Sequence, residues 1–410
     1  MIHILSYLDD LPQEIVEEVA VNLDCKSLSL LCQASQRLSN LCNNVHILKR
    51  MIRNKDYNGG LEEMNVKDLK FLCNLIGDKK FIPGQAFAIP NADIKSRIKV
   101  LDDVVEVSTG GSYSLCLTSN GRVHVLDEKK RPVLVHGLNN AVQVSSGGSH
   151  FLCLRADGQV YAFGDNAVGQ LGLGDNKRSH NVVIIPDLNN IVQVSAGVNY
   201  SLCLTSDGQV YGFGSDSYGK LGRKISGPIY RPEFIPDLEN IVQVSAGYTH
   251  SLCLRRDGRV YGFGNNISGE SGNIKHRRTL HKLQIIDDLH DIVQVSTAKN
   301  YSLCLRADGK VYVFGYIYKD GKVDLSGRIT QVLISVPEII PGLDDIVQIS
   351  TKGSYSLFLR RDRRVYIFKN NISNLDYSYL ADESSVIASD VNNLTQVISA
   401  GSRYSLATTR

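Results

Sequence analysis

One segment of the chain has the spacing of a phosphate-binding loop, in which closely placed glycines and a lysine hold phosphate oxygens. Gly214–Lys220 has glycines at its first and sixth positions and ends in the lysine. The next residue is Leu221, which lacks the hydroxyl that such loops offer to magnesium. The same segment recurs at 164–170 and 264–270 without the lysine. We therefore predict a structural turn here and no nucleotide site.

Other patterns of catalysis are absent from the sequence. It has no Gly-x-Ser-x-Gly, no His-Glu-x-x-His and no paired Cys-His array. We predict no catalytic residue, no metal, no cofactor and no small-molecule substrate. Five of the nine cysteines share one repeat position, where other copies have Phe358 and Ala407. A position that accepts Cys, Phe or Ala is typical of an apolar core, and these cysteines are Cys116, Cys153, Cys203, Cys253 and Cys304.

A second repeat position alternates between tyrosine and histidine. Because both side chains can hydrogen-bond but only histidine titrates near neutral pH, we predict a structural hydrogen bond and not proton transfer. The residues are Tyr113, His150, Tyr200, His250, Tyr301, Tyr355 and Tyr404.

Positions where the copies differ are the better candidates for binding, since loops on a rigid scaffold carry function. One insert has the basic residues Lys275, His276, Arg277 and Arg278, and another contains Tyr316, Tyr318 and Lys319. Four arginines (360, 361, 363 and 364) crowd a further turn. These charges either solvate the surface or form a site for an acidic partner, whose association they would accelerate.

The elements that position these residues are repeats of about fifty residues. Each contains two short alternating apolar segments, an Asp-Gly pair that suits a tight hairpin, and a Val-Tyr-x-Phe-Gly segment rich in strand-forming residues. A weaker fourth segment follows. Four strands per repeat predict a radial β array in which neighbouring sheets cover one another. One serine marks each copy: Ser108, Ser145, Ser195, Ser245, Ser296, Ser350 and Ser399.

The second copy, 147–172, closely resembles the regulator-of-chromosome-condensation (RCC) repeat, although phenylalanine stands where that family has tryptophan. The resemblance implies a mainly β fold, a seven-bladed β-propeller, over residues 78–410. Propellers of this family close by combining strands from both ends of the chain. The segments 78–84 and 86–90 are the candidates for those strands, and the first copy is short enough to predict an abbreviated blade.

The first 55 residues have a helical pattern instead, with Asp10 as a helix cap and apolar residues at helical spacing. They resemble the F-box motif, beginning at Leu11-Pro12-Gln13-Glu14. A simple helical cap on the propeller is the alternative. Residues 56–77 form a predicted helical linker. The resemblance implies docking on the linker protein of a cullin–RING ubiquitin ligase, through Leu11, Pro12, Ile15, Leu23, Leu28 and Leu31.

Taken together, the two resemblances predict a substrate-recognition adaptor. The F-box would bind the ligase linker protein and through it the cullin scaffold, and the propeller would bind an unknown protein substrate. Two alternatives come from the RCC family: nucleotide exchange on a small GTPase, and chromatin binding through histones. The net charge of +3 does not indicate a nucleic-acid partner.

The composition also bears on the compartment. The chain has no apolar run of membrane-spanning length and no signal peptide at its start. An odd number of cysteines without a pairing pattern favours a reducing environment. We expect a protein that is not secreted and has no membrane partner. It would lie in the cytoplasm, with the nucleus as the alternative.

Overall fold

The computed structural model describes residues 84–90, 98–111, 113–126, 131–223, 227–272, 280–323, 329–362, 364–369, 394–399 and 404–409. The predicted F-box-like module (1–55), the linker (56–77) and the candidate strand 78–83 lie outside these residues. No helix within the described ranges has the length and apolarity that crossing a membrane requires.

The described residues form strands β1 to β26, and consecutive strands of a sheet are antiparallel. The first sheet begins with β1 (Gly84–Pro90), β2 (Ile98–Thr109), β3 (Ser114–Thr118), β4 (Val123–Leu126) and β5 (Pro132–Leu134). The second has β6 (Ala141–Ser146), β7 (His150–Arg155), β8 (Val160–Gly164) and β9 (Ser179–Ile184). The third has β10 (Ile191–Ala196), β11 (Tyr200–Thr205), β12 (Val210–Ser215) and β13 (Pro228–Phe234).

The remaining sheets follow the same plan. The fourth has β14 (Ile241–Ala246), β15 (His250–Arg255), β16 (Val260–Gly264) and β17 (Leu280–Ile285). The fifth has β18 (Ile292–Thr297), β19 (Tyr301–Arg306), β20 (Val311–Val323) and β21 (Ile329–Ile339). The sixth has β22 (Ile346–Lys352), β23 (Tyr355–Arg360) and β24 (Val365–Lys369). Finally, β25 (Leu394–Ser399) and β26 (Tyr404–Thr409) join the first sheet.

The prediction of seven separate blades is wrong for the described residues, which form six sheets. The reason lies in β2, which stays continuous through Asp103, a residue with a φ of 57°. Residues 98–101 pair with β1 and residues 104–109 pair with β3, and Val104 pairs with both strands. The first and last repeats are thereby joined in one seven-stranded sheet.

Closure of the ring by both ends of the chain is confirmed. β1 pairs with β26 through residues 86–90 and 404–408, which joins the predicted segment 86–90 to the last repeat. The first repeat is abbreviated as predicted, since its third and fourth strands, β4 and β5, have only 4 and 3 residues.

The core lies between the sheets. The first strands of neighbouring sheets, called inner strands below, lie against one another around the central channel. The second strand of a sheet is covered on both sides by its neighbours, so all six residues of β11 are buried. The five cysteines that share a repeat position are buried and free, which confirms the predicted core site. Burial raises the pKa of the Cys116 thiol to about 12.

The hairpins depend on glycine, because their backbone is left-handed there. Gly158 and Gly208, the second residues of two Asp-Gly pairs, have φ angles of 80° and 84°. A side chain on Gly208 would lie within about 3 Å of backbone atoms of Ile241, as well as being strained. The predicted tight turns are therefore confirmed.

Side chains of the inner strands tie each sheet to the next. Gln143 Oε1 accepts a hydrogen bond from Val194 N at 2.8 Å, and Ser145 Oγ accepts one from Ala196 N at 2.9 Å. The same two bonds recur between later sheets, where the backbone N–H of one sheet again donates to the side chain of the sheet before it. The donor and acceptor pairs are Val244 and Gln193, Ala246 and Ser195, Val295 and Gln243, Thr297 and Ser245, Ile349 and Gln294, and Thr351 and Ser296. The serine that marks the repeats therefore accepts a hydrogen bond that joins its sheet to the next one.

Candidate functional site

The path of the chain gives the propeller two different faces. In each sheet the inner strand turns into the second strand at one end, and the third strand leaves toward the outer strand at that same end. We call this end the loop face; in the third sheet, residues 197–199 are its turn and residues 216–223 begin its loop. The opposite end is the hairpin face, which has the tight hairpins such as Ser206–Gln209.

Four of the alternating tyrosine and histidine residues form the predicted structural hydrogen bond, and in each case it joins one sheet to the next: His150, Tyr200, His250 and Tyr301. His150 Nε2 lies 2.9 Å from Ser201 Oγ, and Ser201 Oγ donates to Gln170 O at 2.8 Å. Because the serine proton is used in that second bond, His150 Nε2 is the donor to Ser201. Tyr200 takes the same place in the next sheet and donates to His250 O at 2.7 Å. Burial holds the pKa of His150 at about 3, so this ring is neutral.

The segment that resembles a phosphate-binding loop points its lysine inward. Lys220 is only 2% exposed, and its Nζ donates to Asn199 Oδ1 at 2.7 Å. The ammonium also lies 5.1 Å from the centre of the Tyr200 ring. Burial lowers the pKa of Lys220 to about 8, although Asp216 opposes this shift. The predicted structural turn is confirmed, because the cation is used within the fold.

Large apolar side chains are exposed on both faces, and those of the loop face include three tyrosines. Ile267 is 58% exposed and Tyr218 is 48% exposed, both in loops between third and outer strands. Tyr113 is exposed in the turn beside the channel, and Tyr230 at the start of an outer strand. Exposed aromatic residues of this kind are typical anchors of protein–protein interfaces.

Tyr218 also has an unusual backbone conformation. Its φ is 69°, in the left-handed region, whereas the other non-glycine residues with positive φ in the described ranges are Asp or Asn. A left-handed conformation costs a tyrosine about 1 kcal/mol. Strain of this kind is often found at binding sites, where a side chain must be held in one place.

The charges nearest the channel on the loop face are positive. In the described turns between inner and second strands, and at the strand ends beside them, the charged residues are Lys299 and Lys352. The Lys299 ammonium lies 5.9 Å from the centre of the Tyr248 ring. The hairpin face differs, because several of its arginines have carboxylate partners, such as Arg155 with Asp157 at 3.0 Å and Arg255 with Asp257 at 3.2 Å.

The predicted basic and aromatic inserts have different outcomes. Lys275, His276, Arg277 and Arg278 lie outside the described residues. Tyr316, Tyr318 and Lys319 lie in strand β20, so the second insert is a hairpin of long strands and not an irregular loop. β20 and β21 have 13 and 11 residues, against 6 in β11, and they extend from the loop face.

The remaining predicted sites are arginines and the F-box face. Arg360 and Arg364 lie at the hairpin face with Asp362 between them at 3.8 and 3.6 Å, so part of their charge is neutralised. Leu11, Pro12, Ile15, Leu23, Leu28 and Leu31 lie outside the described residues. In the described part of the chain, no group of three His, Cys, Asp or Glu residues could hold a metal ion.

Sequence reasoning missed Lys352. It occupies a repeat position where the other copies have glycine or alanine, and a lysine in a glycine position is a signal that alignment of the copies would have revealed.

Comparison with known proteins identifies the architecture. A family model described as the RCC1-like domain matches residues 125–410. The structure of Kap60 bound to yeast RCC1 (Prp20) matches with a TM-score of 0.67 and 15% identity, over 80% of this chain and 89% of that chain. Human WBSCR16 matches with a TM-score of 0.66 and 18% identity, over 80% and 98%.

Prp20p from Saccharomyces cerevisiae matches with a TM-score of 0.66 and 16% identity, over 80% of this chain and 91% of that chain. At these identities the likeness concerns the fold alone. A comparison with curated protein sequences finds no match.

Proposed function

The chain belongs to the RCC1-like domain family, and we propose that it is a protein-recognition propeller whose loop face binds an acidic surface of another protein. One observation carries the proposal: the described turns at the channel mouth of this face have lysines and no carboxylates, and exposed tyrosines and Ile267 lie in the turns and loops of the same face. Apolar anchors supply most of the binding energy of an interface, and complementary charge supplies the association rate and orientation.

A small GTPase is the first partner class to test. The structure of Prp20p was described together with its binding to histones and to Gsp1p, which is a GTPase. Since histones are basic, the lysines of the loop face favour the GTPase over histones. The hairpin of β20 and β21 also extends from the loop face, where it offers a protruding surface to a protein partner.

The test compares two variants with the same chemical change on opposite faces. Ile267→Asp alters the loop face, and Val293→Asp alters the start of an inner strand at the hairpin face; the two residues are 58% and 54% exposed. Binding to a panel of purified small GTPases, with GDP, with GTP and without nucleotide, is measured by biolayer interferometry. We expect Ile267→Asp to weaken binding at least about tenfold and Val293→Asp to leave it unchanged.

Release of a fluorescent GDP analogue in the same samples tests for nucleotide exchange. Equal loss of GTPase binding in both variants, or loss of binding only in Val293→Asp, would contradict the assignment of the binding site to the loop face. Histones are measured in the same assay, and binding of histones without binding of any GTPase would contradict the proposed partner class.

We propose as a second candidate the substrate adaptor of a cullin–RING ligase, a cytoplasmic and non-catalytic role. The F-box-like motif at Leu11–Glu14 supports it. In this proposal the loop face holds the substrate, and the helical module docks on the ligase linker protein. Both candidates have the loop face bind another protein, and the adaptor role adds docking of the first 55 residues on the ligase linker protein.

The double variant Leu11→Asp/Ile15→Asp tests the adaptor role by pull-down from eukaryotic lysate. A charge buried in a docking face destabilises the interface by several kcal/mol, so the linker protein and cullin should be captured by the intact chain alone. Val133→Asp, at an exposed position of β5, is the control and should retain them. Absence of both proteins from the intact sample would refute this role, provided that circular dichroism shows a folded propeller.

A further inference from the structure

One position beside the channel breaks the pattern of the repeats. The other copies have a small residue there: Gly110, Gly147, Gly197, Gly247, Ala298 and Gly401. Space explains the preference in the described sheets, since a Cβ on Gly147 would lie 2.5 Å from Gly197 O and one on Gly197 would lie 2.7 Å from Gly247 O. Lys352, in the sixth sheet, is the largest residue at this position and the only charged one.

The Lys352 side chain crosses the central channel. Its Nζ donates to Ser146 O at 2.9 Å and to Ala196 O at 3.2 Å. These acceptors end the inner strands of the second and third sheets, 206 and 156 residues away in the chain. Contact between inner strands of non-adjacent sheets requires the side chain to reach across the axis of the ring.

The charge of this lysine is not neutralised by the groups that surround it. The ion pairs formed by the described residues do not include Lys352. His150 is close enough for the lysine to help lower its pKa, and it stays neutral. Burial lowers the pKa of Lys352 to about 8, as expected for an ammonium without a counter-charge.

The lysine is also accessible to a ligand. Lys352 is mostly buried but keeps part of its surface exposed, so solvent reaches this residue. An ammonium has three N–H donors, and the two carbonyls use two of them. One donor and one uncompensated positive charge are therefore available at the centre of the loop face.

We propose that the channel binds a single carboxylate of an acidic peptide segment, which pairs with the Lys352 ammonium. A carboxylate has one negative charge and matches one ammonium, whereas a phosphate dianion would leave a buried negative charge without a partner. The proposal rests on the loop face being the face that binds a partner, and it names the group of that partner which enters the channel.

The experiment uses the full chain and a fluorescently labelled acetyl-tetraglutamate amide, with acetyl-tetraglutamine amide as the neutral probe. Lys352→Met removes the charge and the donor but keeps the length of the side chain. Lys352→Ala introduces the residue that the fifth sheet has naturally at Ala298, and it guards against a folding defect of the first variant. Lys299→Met is the matched control on the same face. Binding is followed by fluorescence anisotropy at fixed ionic strength.

We expect the intact chain to bind tetraglutamate and not tetraglutamine. Both variants of Lys352 should weaken tetraglutamate binding at least about tenfold, which corresponds to the loss of one charge-assisted hydrogen bond. Lys299→Met should weaken it less than threefold. Equal affinities of the intact chain and the Lys352 variants would overturn the proposal, as would a failure of the intact chain to bind the peptide at millimolar concentration.

The failure of this inference is distinguishable from failure of the proposed function. If Ile267→Asp abolishes binding to the GTPase but Lys352→Met does not, the loop face binds its partner without the channel. If tetraglutamate binding depends on Lys352 but no GTPase binds, the channel site exists and the partner class is wrong.

Discussion

The Lys352→Met substitution also makes a quantitative prediction about stability. The ordinary lysine pKa is 10.5 and burial lowers it to about 8 in the folded protein. The unfolded chain therefore binds more protons than the folded chain between these two values, and the free energy of unfolding rises with pH there. Below pH 8 both states are protonated and the cost of the buried charge is present in full.

The magnitude follows from the shift. A pKa difference of this size is equivalent to about 3 kcal/mol, since each unit is about 1.4 kcal/mol. Between pH 7 and pH 10 the lysine should contribute a gain of about 2.5 kcal/mol in the free energy of unfolding of the wild-type protein. The methionine variant lacks this contribution. The other titrating groups are common to both proteins, so they cancel when the two pH dependences are compared.

The two carbonyl hydrogen bonds affect the level of stability and not the slope. Their loss in the variant destabilises it by roughly 1–3 kcal/mol at every pH, because a neutral amine still has the two N–H donors that Ser146 O and Ala196 O require. At pH 7 this loss and the relief of the buried charge nearly balance. We therefore expect the variant to be close to wild type at pH 7 and clearly less stable at pH 10.

Urea denaturation followed by far-ultraviolet circular dichroism, at pH 7 and pH 10 under reducing conditions, measures this difference. Lys299→Met is the control, and its curves should shift with pH as those of the wild type do. Parallel pH dependences for Lys352→Met and wild type would refute the reasoning, because they would show that the channel does not change the proton affinity of the lysine.

Three further predictions concern the repeats. Tyr200→Phe should lower the free energy of unfolding by about 1 kcal/mol, because it removes the buried hydroxyl that donates to His250 O, which keeps Gly247 N as a second donor. Tyr113→Phe, at the equivalent exposed position, should change it little in the same urea titration. Tyr218→Gly should stabilise the protein by about 1 kcal/mol, because glycine adopts the left-handed backbone of this position without strain. Val168→Gly, at the equivalent position without positive φ, should destabilise it. A thermal melt in which Tyr218→Gly lowers the melting temperature and Val168→Gly raises it would contradict the assigned strain. Ellman's reagent should leave five buried thiols unreacted until urea unfolds the chain. They belong to Cys116, Cys153, Cys203, Cys253 and Cys304. Rapid reaction of any of these thiols in the native protein would contradict its burial.

Much of the fold could be predicted from the sequence because each repeat is a local pattern seen several times. The Asp-Gly pairs predicted hairpins, and Gly158 and Gly208 have the left-handed φ that these turns require. The core cysteines and the Tyr/His hydrogen bonds were also predictable. When copies exchange Cys for Ala, or Tyr for His, the tolerated residue types reveal the environment that every copy shares.

The candidate site was less predictable, because it depends on departures from the repeat. The basic insert at 275–278 was noticed as a cluster of charge, but it lies outside the described residues. The second insert was expected as a loop, and β20 and β21 extend through it as paired strands up to Val323 and Ile329. Alternating apolar and polar residues are weak evidence for a strand when no neighbouring copy has the same segment.

The sequence by itself determined the repeat, the strands of each sheet and the hydrogen-bonding role of the Tyr/His position, because these follow from comparing copies that are about fifty residues apart. Only the tertiary structure decided that the first and last repeats share one sheet, and that Lys352 reaches Ser146 O and Ala196 O. Both results depend on how the ring closes. Closure brings together residues that are 156 or more positions apart, and no local pattern encodes the curvature that places them in contact.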